Sequence, residues 1–146
     1  MTDEEDGSFS DALQFDLRLL IRHLSMDPDV ITRVLGLEPF FVNRAGAARK
    51  APNGTPLGGF YKENAWSYSA QHDGKRSFFD EVMNLVARLE PHAGLLNEVV
   101  KTGGTIELIV NLDGHNNIGD TLPSSQMARL IRLNIGLGIE VFPEFS

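Results

Sequence analysis

From Thr105 to Leu112 the chain carries Ile106, Leu108, Val110 and Leu112 at every second position. A period of two belongs to a strand with one buried face, so this run needs an apolar layer laid over it. Leu108, at its middle, is the expected core position. A second run has the same period: Phe15, Leu17, Leu19, Ile21 and His23 alternate with Asp16, Arg18, Leu20 and Arg22. Two strands of this kind cannot bury their faces alone, and the rest of the chain supplies helices to cover them.

Asp27-Pro28 reads as a helix start, with Asp27 capping and Pro28 at the first helical position, where its missing N–H costs nothing. Val30, Ile31, Val34 and Leu35 form the stripe, and Gly36 ends it. Ser77 followed by Asp80 and Glu81 resembles a capping box and opens a helix carrying Phe78, Phe79, Val82, Leu85, Val86 and Leu89. Pro91 interrupts it, and a second segment carries Leu95, Leu96, Val99 and Val100 to a stop at Gly103-Gly104. A last helix is expected from about Pro123 to Asn134, presenting Met127, Leu130 and Ile131 and ended by Gly136.

Shorter strands are expected at Phe40–Asn43, at about Ala65–Ala70 and at Ile139–Phe142, where Pro143 stops the last. The glycine-, proline- and alanine-rich stretch from Asn43 to Gly59 reads as a long, exposed, mobile loop. The pattern predicts an α+β two-layer sandwich: a mixed, mostly antiparallel sheet with its helices on one face. Its first six elements match a ferredoxin-like split βαβ core, extended by a further helix and strand. Residues 1–14 are expected to be a flexible acidic tail and residues 15–146 one α+β domain.

With 42% hydrophobic and 23% charged residues among 146, the chain has the composition of a packed globular protein. Four of its seven net negative charges come from Asp3, Glu4, Glu5 and Asp6, which leaves −3 on the remainder. Neither the total nor its distribution provides the clustered basic face that phosphate backbones require, so nucleic acid is not expected as a partner. No apolar run is long enough to span a membrane, and the acidic start lacks the pattern of a secretory signal. The absence of cysteine suits a reducing cytoplasm and removes disulfides, thiolate metal sites and cysteine nucleophiles.

The four histidines, His23, His72, His92 and His115, show no spacing that would gather three or four metal ligands, and no metal or cofactor is expected. Glycine fingerprints for phosphates or dinucleotides and the GxSxG elbow do not occur. The run from Asn111 to Asn117 places Asp113 and His115 just after a strand, an acid/base pair if it serves chemistry. Asp-Gly and asparagine-rich sequence is equally what a turn requires. Arg44, Arg49, Lys50 and Lys62 lie in a stretch without acids, close to Trp66 and Tyr68. Those residue types suit an acidic partner and a binding hot spot. Trp66 also reads as a core residue.

The segment from Asp27 to Pro39, DPDVITRVLGLEP, resembles the entry of a bacterial family catalogued as domain of unknown function 4279. Trp66-Ser67-Tyr68, the break at Leu89-Glu90-Pro91 and the Leu130–Phe142 end are similar to it as well. Members of that family often place a basic residue, a glycine and an acid after the first of these segments, whereas Arg44-Ala45-Gly46-Ala47 has no acid there. The resemblance implies a fold and a bacterial or phage-related origin. It allows a role as an immunity protein that neutralises a toxin, and it implies no established activity.

The expectation is a non-enzymatic interaction module binding an acidic protein through Arg44, Arg49, Lys50, Lys62, Trp66 and Tyr68. The alternative is a small hydrolase or ligand-binding protein that uses Asp113 and His115. The sequence leaves the partner and the oligomeric state open.

Overall fold

The computed structural model describes residues 15–115 and 117–143. The acidic tail assigned to residues 1–14 lies outside the described residues. In chain order the elements are β1 (Phe15–His23), α1 (Pro28–Leu35), β2 (Phe41–Asn43), β3 (Ala48–Lys50), β4 (Pro56–Phe60), β5 (Asn64–Ser69) and α2 (Phe78–Leu89). A 3-10 turn (Glu90–His92) leads into α3 (Ala93–Lys101), β6 (Thr105–Asp113), α4 (Ser124–Arg132) and β7 (Ile135–Phe142).

Five strands form one sheet in the order β2-β5-β1-β6-β7, and β3 pairs with β4 apart from it. All pairs in the sheet are antiparallel except β6 with β7. The register sets Leu19 opposite Leu108 and Ile21 opposite both Ile106 and Trp66, so the alternating apolar residues share one face. Against that face pack the buried stripes of the helices, Val82, Val86 and Leu89 of α2 and Leu96 and Val99 of α3. The protein is therefore an α+β fold with a mostly antiparallel sheet covered by helices on one side. Leu108 is fully buried at the centre. Among the described residues no helix is long and apolar enough to cross a membrane.

The capping signals act as the sequence suggests. Asp27 Oδ1 accepts the N–H of Asp29 at 2.9 Å, Pro28 takes the first position, and Gly36 ends α1 in the left-handed conformation at φ 67°. Ser77 Oγ accepts the N–H of Asp80 at 3.2 Å to open α2, and Pro91 turns the chain into α3 through the 3-10 segment. His23 closes the end of β1. Its Nδ1 accepts the N–H groups of Ser25 and Met26 at 2.9 and 2.8 Å, so the ring proton is on Nε2 and is donated to Thr102 Oγ1 at 2.7 Å.

Three expectations are corrected. The stretch read as a mobile loop is a β-hairpin, β3 and β4, built on the turn Ala51-Pro52-Asn53-Gly54. Gly54 N–H donates to Ala51 O at 2.8 Å and Ala51 N–H to Thr55 O at 2.8 Å, with Gly54 at φ 89°. This is a three-residue hairpin loop with a left-handed last residue, and Pro52-Asn53-Gly54 was its signal. The last helix ends at Arg132, before the expected Asn134, and Asn134 rather than Gly136 makes the stop, in the left-handed position at φ 59°. β7 therefore begins four residues earlier than expected, at Ile135, and runs parallel along β6. Finally, of the stripe assigned to α4 only Leu130 is buried; Met127 and Ile131 are exposed.

Candidate functional site

The face of the sheet opposite the helices carries Arg18, Leu20 and Arg22 from β1 and Ala65 from β5, because alternation turns these away from the core. The β3-β4 hairpin stands beside this face, its base closed by Tyr61 N–H to Ala47 O at 2.9 Å and Gly46 N–H to Tyr61 O at 2.8 Å. Between hairpin and sheet lies a cleft of about 470 Å³. Arg18, Arg22, Arg49 and Lys62 reach it, and among the described residues Glu63 is the one acid in its lining. Arg22 Nε lies 3.8 Å from Glu63 Oε2, so among the described residues three of the four positive charges have no carboxylate in the cleft to offset them.

The floor is apolar, with buried Leu20 and half-buried Phe41, while exposed Phe60 forms part of the rim. Ser67 stands between Leu20 and Phe41 in the strand register and is fully buried. Its Oγ has no hydrogen-bond partner among the described residues. Cations around an apolar floor can hold an anionic group while apolar parts of the same ligand lie on Leu20 and Phe41. The volume is within the range of ligand sites.

Of the residues the sequence pointed to, Arg49 and Lys62 meet at this cleft and the others do not. Arg44 is tied to the start of α1. Its Nη1 donates to Asp27 Oδ1 at 3.1 Å and its Nη2 to Asp29 Oδ1 at 2.9 Å. The Asp27 carboxyl is held below its ordinary range, first by the backbone N–H of Asp29 and then by Arg44. Arg44 thus fixes the turn after β2 in place, and its charge is already offset. Lys50 lies beside Ala48 in a broader groove on the other side of the hairpin, because Arg49 and Lys50 alternate along β3.

Trp66 and Tyr68 face the helix layer, away from the cleft. Trp66 is fully buried, and its ring lies 6.4 Å from that of Tyr68 at an interplanar angle of 18°. Tyr68 OH accepts from Arg88 Nη1 at 3.4 Å. The assignment of Trp66 to a partner surface is therefore corrected to a core role. Arg18 and Arg22 were missed, although their alternation with Leu17, Leu19 and Ile21 already set them on the uncovered face.

Asp113 and His115 form a turn at the end of β6. Asp113 Oδ1 accepts the backbone N–H of His115 at 3.0 Å and lies 3.1 Å from its Nδ1. That backbone N–H, more than the ring, holds the Asp113 carboxyl below its ordinary range. The imidazole is 66% exposed, and neither residue lines the cleft. A carboxylate spent on closing its own turn is oriented by the backbone. No three histidine, aspartate or glutamate side chains gather into a metal-binding group among the described residues.

No curated protein and no solved structure matches the chain. The family model described as Domain of unknown function (DUF4279) matches residues 14–142, nearly the whole chain and every element of the fold, and the protein belongs to that family.

Proposed function

We propose that this protein is a non-enzymatic binding module whose cationic cleft receives an acidic segment of another protein. The observation that carries this reading is the convergence of Arg18, Arg22, Arg49 and Lys62 on one cleft of a chain whose net charge is −7. An excess of positive charge at one place on an acidic protein attracts acidic segments to that place. An immunity protein that blocks a toxin would use a surface of this sort. The reading extends to a bacterial, cytoplasmic protein, in keeping with its cysteine-free sequence. The order of β2, β5, β1 and β6 supports a ferredoxin-like core beneath the cleft.

A fluorescein-labelled oligoglutamate peptide is the probe that tests this reading. Its polarisation should rise on titration with the wild-type chain at low salt and fall back as salt is added, because exposed charges are screened within about 10 Å at ordinary ionic strength. Reversing Arg18, Arg49 and Lys62 together to Glu should abolish the rise with the circular dichroism unchanged. Asp113→Asn with His115→Ala should leave it intact. Binding that survives the triple reversal and is lost with the Asp113 and His115 changes would move the site to the turn and favour the hydrolase or ligand-binding alternative.

A further inference from the structure

β7 is the outermost strand of the sheet, and its inner side is used up by β6. Among the described residues, nothing hydrogen-bonds its outer side from Ile135 to Val141. Leu137, Ile139 and Val141 continue the helix-side row of Leu108, Val110 and Leu112, yet they stay exposed. Ile139 is 49% exposed and Val141 62%, and on α4 Ile131 is 71% exposed beside Met127. A long apolar edge is a template for another strand, and proteins protect such edges with lysine, proline or a cover. Between Ile135 and Val141 the strand has neither lysine nor proline.

We infer that a second copy of this chain covers this edge. β7 pairs antiparallel with its counterpart about a two-fold axis at Gly138, and two five-stranded sheets become one. The side chains select this register. With the axis at Gly138, Leu137 of one copy lies opposite Ile139 of the other and Ile135 opposite Val141, so apolar meets apolar on the helix side. On the other side Glu140 lies opposite Gly136, and the two Glu140 carboxylates are not opposed. An axis perpendicular to the sheet keeps both helix layers on the same side, where Met127 and Ile131 of each α4 close over the joined strands. The exposed apolar residues amount to several hundred Å² in each copy, so the pair buries on the order of 1,000 Å², the size at which specific interfaces begin.

The test is sedimentation equilibrium of the full chain across the micromolar range, together with single-cysteine cross-linking. The wild type should sediment as a dimer that dissociates on dilution, and Ile139→Lys should be monomeric with an unchanged circular dichroism spectrum. The chain has no cysteine of its own, so Gly138→Cys carries the sole thiol. A Cβ there meets only Ile109 Cγ1 at 3.6 Å and Leu108 O at 4.0 Å, ordinary contacts that leave the fold in place. At the axis two such thiols come within disulfide reach, whose Cα separation is about 4.4 to 6.8 Å. Gly138→Cys should therefore form a covalent dimer on mild oxidation, and Glu140→Cys, off the axis, should not. A wild type that stays monomeric throughout, or Glu140→Cys cross-linking as readily as Gly138→Cys, overturns the inference.

Discussion

The indole Nε1 of Trp66 donates to Thr32 Oγ1 at 2.9 Å, joining the middle of β5 to α1. Trp66 is fully buried, so its one polar group has to find a partner inside the protein, and the hydroxyl of α1 provides it. Thr32→Val keeps the shape and leaves the buried N–H unpaired, which should lower stability by about 1–3 kcal/mol. Thr32→Ser, which keeps the acceptor, should cost less. Urea unfolding followed by the fluorescence of Trp66, the only tryptophan, measures both. A Thr32→Val midpoint equal to that of the wild type would show that the bond adds nothing.

Glu90 and Arg129 tie the turn at Pro91 to α4 through two parallel bonds, Arg129 Nε to Glu90 Oε2 at 2.9 Å and Arg129 Nη2 to Glu90 Oε1 at 2.8 Å. The guanidinium holds the Glu90 carboxyl below its ordinary value of 4.5. Because the folded value lies below the unfolded one, the stabilisation is present above pH 4.5 and is lost as pH falls through the folded value. The melting temperature of the wild type should therefore fall more steeply in this acid range than that of Glu90→Gln. Asp27 is depressed in the same direction, so the variant should retain part of the slope. Equal slopes for the two proteins would exclude the pair as a source of acid sensitivity.

Gly104 precedes β6 in a space with no room for a side chain. A Cβ there would lie 2.6 Å from Arg22 O, 2.7 Å from Val99 Cγ1 and 2.9 Å from His23 Cδ2. The nearest atom is backbone of a paired strand, so β6 itself would have to shift. Gly104→Ala should cost about 1–3 kcal/mol by overpacking. Gly94→Ala, which meets nothing within 4 Å inside α3, should be neutral or stabilising by up to about 1 kcal/mol. Thermal unfolding of the two variants side by side separates them, and a Gly104→Ala protein as stable as Gly94→Ala would mean that the strand start yields freely.

What the sequence determined by itself is what local burial and local hydrogen bonding decide. The alternations in β1 and β6 and the stripe of α2 were legible because each apolar residue must find the core, and the caps Asp27 and Ser77 because a side chain bonds its own helix end. The hairpin of β3 and β4 escaped that reading because backbone bonds, which any sequence can make, hold it together while its residues stay exposed. The cleft was decided by tertiary structure alone: Arg18 and Arg22 meet Arg49 and Lys62 only after the hairpin stands beside the uncovered sheet face. The same holds for Arg44, whose charge looked available until the fold brought Asp27 and Asp29 to it. Met127 and Ile131 have the periodicity of a core stripe, yet burial also needs something for the stripe to lie on. β7 is the last strand, and among the described residues no further strand lies beyond it.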